Sequence, residues 1–286
     1  PNAERRWNTP RYFHKQSSLA KTILAAGGLQ PVDLVALCEV ENDSVMHFLC
    51  RRTRLARLGY EYLVTHSADR RGIDVALLYQ PETFALLHSE TYRVPYDSLR
   101  ERPTRDLLHA AGRLPFGDTL DVFVVHFPSR RGGASISEPY RLHAAGILRH
   151  LADSIARCRH TPRLLAMGDF NDEPHNASVS RVLAPTFAEL TSHATPLPAE
   201  GHDDIEGSYY FRGEWSRIDQ ILVSPTLLSP TMKFHTTPQS VHLLAFPPLL
   251  ETLGRGTLSK PFRTYLGPFY HGGISDHLPL CIDFSY

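Results

Sequence analysis

The stretch RLLAMGDFND, residues 163–172, drives an apolar run straight into Gly168, Asp169, Asn171 and Asp172. Glycine tolerates positive φ, and short polar side chains bond nearby backbone, so these are turn-forming residues. One reading is therefore an ordinary strand entering a turn. The other is a site. Asp169 and Asn171 stand two residues apart, and in extended chain that spacing puts both side chains on one face. The choice depends on what the other strand ends carry.

Upstream, residues 137–158 place Ala144, Leu148, Leu151 and Ile155 on one side at helical spacing, with Pro139 expected in the first turn. Before that helix, TLDVFVVHF (119–127) reads as a strand. YEYLVT (60–65), IDVALLY (73–79) and FALLHSETYRV (84–94) read as successive strands, and YDSLRERP (96–103) as a polar loop. Near the N-terminus, SSLAKTILAAGG (17–28) predicts a helix with a glycine exit. VDLVALCEV (32–40) predicts a buried strand, and residues 42–60 a second helix started by Asp43 and Ser44. Downstream, residues 207–224 predict a hairpin turning at Gly213, and HLPLCIDFS (277–285) a last strand. Residues 225–270, rich in proline and poor in period, read as a long excursion. No repeat or linker interrupts the chain, so residues 1–286 are expected to form one domain.

Five of these strands carry chemistry at an end: Glu39, His126, Asp169 with Asn171, Asp219, and Asp276 with His277. Each has a plain alternative as a loop residue, a strand-edge histidine or a turn-bonding acid. In a sheet with antiparallel pairs, however, the end of one strand lies beside the start of its neighbour, so all five can share one rim. Carboxylates and an amide oxygen are hard ligands, which suit Mg²⁺ or Mn²⁺ rather than zinc. A histidine beside an acid is fixed in tautomer and made more basic. PSRRGG (128–133) follows His126 directly, so Ser129, Arg130 and Arg131 are candidates to hold phosphate oxygens.

Composition narrows the partners. Thirty basic and 30 acidic residues in 286 leave no net field to draw a polyanion or a membrane, so any grip on phosphate must be local. The 16 histidines form no metal-protease motif, and the four cysteines, widely spaced, are expected as free thiols. No apolar run reaches the roughly 18 residues of a membrane span.

Taken in order, CEVEN, VVHFPSRRGG, GDFND, RIDQILVS and GGISDHLPL resemble the endonuclease/exonuclease/phosphatase superfamily with its DNase I-like fold. The resemblance implies an α/β, four-layer α/β/β/α sandwich, two mixed sheets with helices outside, and a divalent-metal site at one edge. It implies Glu39 as the principal metal ligand, with Asp276 supporting metal or water. Asp169 would orient or deprotonate the attacking water, with Asn171 beside it. Asp219 would pair with a catalytic His277. His126 would contact the phosphate, with Asp74 as its candidate acidic partner. The family's first strand, which carries a metal-binding asparagine, is not recognised here: PNAERRWNTPRYF resembles the segment after it, and Asn8 is not given that role. The expected activity is phosphodiester hydrolysis, with nucleic acid among the substrates. The alternatives are a phosphomonoesterase acting on a lipid or small molecule, and a non-catalytic scaffold.

Overall fold

The computed structural model describes residues 6–95, 103–198, 201, 204–253 and 258–286. Its elements, in order, are α1 (Thr9–Gly27), β1 (Leu34–Val40), α2 (Asp43–Arg52), β2 (Glu61–Val64), β3 (Asp74–Tyr79), β4 (Ala85–Tyr92), β5 (Leu107–Arg113) and β6 (Thr119–His126). There follow α3 (Ala134–Cys158), β7 (Leu164–Asp169), β8 (Ala188–Glu189), β9 (Thr195–Leu197), β10 (Tyr209–Phe211), β11 (Glu214–Ser216) and β12 (Asp219–Val223). The last are β13 (Val241–Leu244), β14 (Leu250–Leu253), β15 (Leu258–Pro261), β16 (Tyr265–Leu266), β17 (Phe269–Tyr270) and β18 (Leu280–Ile282). Most of the expected polar loop at 96–103 lies outside the described residues.

Local chemistry sets the helix starts more than periodicity does. Asn8 caps α1 by accepting the Arg11 N–H at 3.2 Å, and Pro10 sits in the first turn, so the helix begins well ahead of Ser17. Asn8 is thus a cap. Asn42, rather than Asp43 or Ser44, caps α2 through the Val45 N–H at 3.1 Å. Helix α3 starts at Ala134, which moves Pro139 beyond the first turn. There the Ser137 hydroxyl donates to Gly133 O at 2.8 Å and Arg141 donates to Ala134 O at 3.0 Å, satisfying carbonyls at the helix entry.

The largest sheet runs β4-β5-β6-β7-β12-β8, with β6 and β7 parallel and the other neighbours antiparallel. Alternation along β6 separates its two faces. Phe123 and Val125 pack with Ala144, Ala145 and Leu148 of α3. Val122 and Val124 face Val75, Leu77, Val241 and Leu243 of a second strand layer. The far side of that layer, through Ala76 and Leu78, buries Ala20 and Ile23 of α1 and Met46 and Leu49 of α2. Burial of a core side chain of this size is worth about 1.5–3 kcal/mol. The fold is an α/β sandwich with helices on both outer faces.

Two features differ from the sequence reading. The second layer is divided into an antiparallel β1-β3-β2 sheet and a mixed β18-β13-β9 sheet, so β1 and β18 are both edges. The excursion at 225–270 also supplies β13, whose Val241, Leu243 and Leu244 are core residues, together with two short hairpins. Strands of two to four residues are too short to show a period.

Candidate active site

Register brings the strand ends together. The parallel β6–β7 pair sets His126 opposite Asp169, and the antiparallel β7–β12 pair sets Asp219 opposite Asp169. Neighbouring strands lie about 4.8 Å apart, so the three residues form one line across the sheet. Gly168 makes the close approach possible. At φ 139° a Cβ there would collide with the Val125 carbonyl oxygen of β6, and no L side chain suits that backbone.

The turn after β7 then locks Asp169. Its Oδ1 accepts the Asn171 N–H at 2.8 Å, and its Oδ2 accepts the Asn171 side-chain amide at 3.1 Å. Asn171 adopts φ 50° and also donates to Phe127 O at 3.0 Å. Arg130 donates to Asn171 O at 2.7 Å and to Asn176 Oδ1 at 2.9 Å. Arg130 is thereby committed to holding this turn, while Arg131 is exposed and Ser129 half-buried. The stretch read at the outset as turn or site is both at once.

His277 joins from the loop before β18. Its Nδ1 lies 2.7 Å from Asp219 Oδ2, which also accepts the Ser208 hydroxyl at 2.5 Å. Burial alone would lower the His277 pKa, but the carboxylates of Asp219, Asp169 and Asp276 raise it to about 10. His277 is therefore an imidazolium at neutral pH. Burial, and then the nearby Asp219 charge, raise Asp169 to about 7. His126 is held well below its ordinary value by burial and then by Arg105 and Arg71, so it stays neutral. Its Nε2 lies 3.4 Å from Asp169 Oδ2. The acid beside His126 is thus Asp169. Asp74 is occupied elsewhere, accepting from Thr65 Oγ1 at 2.9 Å and Ser67 N at 2.7 Å.

Both raised groups bind protons more tightly folded than unfolded. Each stabilises the fold fully below its ordinary value, and that stabilisation is lost as pH rises through the folded value. The windows run from 3.8 to about 7 for Asp169 and from 6.5 to about 10 for His277. In EDTA the melting temperature is expected to fall between pH 7 and pH 10, with a shallower fall in His277→Gln. Equal slopes in the two proteins would contradict the assignment.

Glu39 sits at a bulge in β1 at φ 60°, exposed, with Arg71 Nη1 at 3.4 Å from its Oε1. The Cys38 thiol donates to Val125 O at 3.5 Å, which ties this end of β1 to the end of β6. Asp276 is exposed beside His277. Sequence reasoning missed Lys15, whose ammonium donates to Thr264 Oγ1 at 3.0 Å and feels both Asp276 and Glu39. It also missed Arg105, buried and paired with Asp69 at 3.3 Å. A lysine on a helix and an arginine before a strand carry no sequence signal of this kind.

The donor set fits a hard cation. Asp169, Asp219 and His277 each offer an atom within 4.8 Å of the others, and Glu39 and Asp276 add exposed carboxylates. The raised Asp169 points to negative charge that the protein alone does not fully neutralise.

A sequence model of the Endonuclease/Exonuclease/phosphatase family matches residues 1–285. The chain belongs to this family. Among family-like solved structures, the human Nocturnin catalytic domain with bound sulfate anion superposes with a TM-score of 0.62 at 19% identity, covering 96% of this chain and 86% of that one. D. rerio TDP2 complexed with a single-strand DNA product gives 0.62 at 16% identity, covering 98% and 94%. The mannosyl-6-phosphatase of Bacteroides thetaiotaomicron gives 0.60 at 14%, covering 96% and 92%. At these identities the likeness is one of fold. No curated protein sequence matches the chain. Among the described residues of this family member, no strand precedes α1, and no helix is long and apolar enough to cross a membrane.

Proposed function

We propose that the chain is a Mg²⁺- or Mn²⁺-dependent phosphoesterase that hydrolyses phosphodiesters, acting as one domain over the matched residues. The observation that carries this reading is the line His126–Asp169–Asp219 with His277 bonded to its end. Asp169, fixed by Asn171 and raised toward neutrality, accepts the proton of the attacking water. His277, charged and oriented by Asp219, offers its remaining N–H to the oxygen that gains charge as the ester bond breaks. His126, neutral and buried, contributes a dipole beside the same carboxylate. Ser129 and Arg131 are the loop groups left to meet phosphate oxygens, since Arg130 is engaged in the turn.

Glu39 and Asp276 would hold the cation, because the Asp219–His277 bond already occupies two of the three clustered atoms. When bound, a divalent cation neutralises charge on the phosphoryl oxygens. The family includes both phosphatases and nucleases by its description, and the fold neighbours include a phosphatase and a protein bound to single-strand DNA product.

A substrate panel tests the reading: plasmid DNA, RNA, inositol lipids, nucleotides, and bis- and mono-p-nitrophenyl phosphate, each with and without metal. Diesters are expected to be cleaved faster than monoesters, and only with metal. A preference for the monoester would replace this reading with a phosphatase. No hydrolysis of any substrate would favour a scaffold.

A further inference from the structure

The hairpin of β10 and β11 projects beside His277 and places alternate side chains on opposite faces. One face turns inward: Tyr210 packs edge-on to Trp215 at 5.1 Å, and Trp215 rests against the core. The other face carries Tyr209 and Phe211. Backbone bonding anchors it to the catalytic loop, because Tyr209 forms a β-bridge with His277 and Leu278 N donates to Ser208 O at 2.7 Å.

The rings form a row. Tyr209 lies 4.8 Å from the His277 ring, and Phe211 continues at 6.2 Å from Tyr209 with only 15° between their planes. Phe211 is 52% exposed, although burying its ring would be favourable. Cations border the row. Arg263 stands over the Tyr209 ring at 5.3 Å and Arg212 over the Phe211 ring at 5.2 Å. Among the described residues, neither arginine is paired with a carboxylate. Phe211, Arg212, Lys260 and Arg263 line an open hollow of about 270 Å³.

Flat π-faces flanked by unpaired guanidinium groups match a chain of bases joined by phosphates. Every base offers a π-face, so such a row needs no sequence preference. An acyl chain would not favour a surface bordered by three cations. A sugar phosphate would leave the charges beyond the scissile group without partners. We propose that the row His277–Tyr209–Phe211, with Arg212 and Arg263, binds the nucleosides next to the scissile phosphate, so that the substrate is single-stranded nucleic acid. The position of the row relative to the reaction rests on the phosphoesterase reading above, whereas binding by the row can be measured without it.

The probe is fluorescein-labelled dT10 in EDTA, read by anisotropy. Phe211→Ala is expected to weaken binding about 5- to 150-fold, the factor equivalent to the roughly 1–3 kcal/mol contributed by a stacked base. Phe211→Trp should restore the affinity. Leu87→Ala, an exposed apolar residue on β4, is the control that should not change it. The kcat/KM ratio of thymidine 5′-p-nitrophenyl phosphate to methyl p-nitrophenyl phosphate should fall in Phe211→Ala. Equal dT10 affinity in wild type and Phe211→Ala, or no binding by wild type at millimolar protein, would overturn the inference. Phe211-dependent binding without hydrolysis of either ester would leave it standing and remove the phosphoesterase reading instead.

Discussion

Asp169→Asn is expected to lower kcat by about 10²–10⁴ while the protein stays folded, the usual cost of losing a positioned general base. The substitution keeps the shape of the side chain, and the amide oxygen can still accept the Asn171 N–H now made at 2.8 Å. What it removes is the ability to take a proton from water. It also removes one of two close, buried negative charges, which is why the thermal stability of the variant should match or exceed that of the wild type. Circular dichroism with melting curves checks the fold, and turnover of bis-p-nitrophenyl phosphate checks the chemistry. A well-folded Asp169→Asn with near-wild-type turnover would reject Asp169 as the base.

Arg141→Met is expected to cost about 3–5 kcal/mol of folding stability, the range for stranding one partner of a buried ion pair. Arg141 Nε lies 2.7 Å from Asp172 Oδ1, and both side chains are almost wholly buried. Asp172 also accepts the Ser178 hydroxyl at 2.7 Å, and its carbonyl accepts from Gln220 at 2.8 Å. The pair therefore fastens α3 to the turn that carries Asp169 and Asn171. Replacing both partners with apolar residues, as in Arg141→Met with Asp172→Leu, should recover much of the loss. Urea unfolding of the three proteins measures this. A loss below about 1 kcal/mol in the single variant would mean that Asp172 finds another partner, and Arg130 at 3.7 Å is the nearest guanidinium.

The site residues that could be read from the sequence are those that end or begin long strands. His126, Asp169 and Asp219 were visible because β6, β7 and β12 are apolar runs that stop abruptly at a polar group, and sheet register then aligns them. Asn171 was visible through its spacing from Asp169. The misassigned partner of His126 shows the limit. Asp74 opens β3, but the segment after β2 wraps over it and supplies the hydroxyl and N–H that satisfy it. That depends on the loop path, which periodicity does not encode. Lys15 escaped notice because a long flexible side chain can reach a site from a helix on the next layer. The start of α1 was obscured for a different reason: its first turns are polar, and only the Asn8 cap and Pro10 mark them.

The central claim is that Glu39, Asp169 and His277 serve one hard cation and one phosphate. The anomalous difference map of crystals soaked in Mn²⁺ tests it most directly. The account predicts a single strong peak coordinated by the Glu39 carboxylate, on the side of that residue facing Asp169 and His277. Saturating Mn²⁺ that leaves this position vacant, or that binds only at carboxylates elsewhere on the surface, would contradict it.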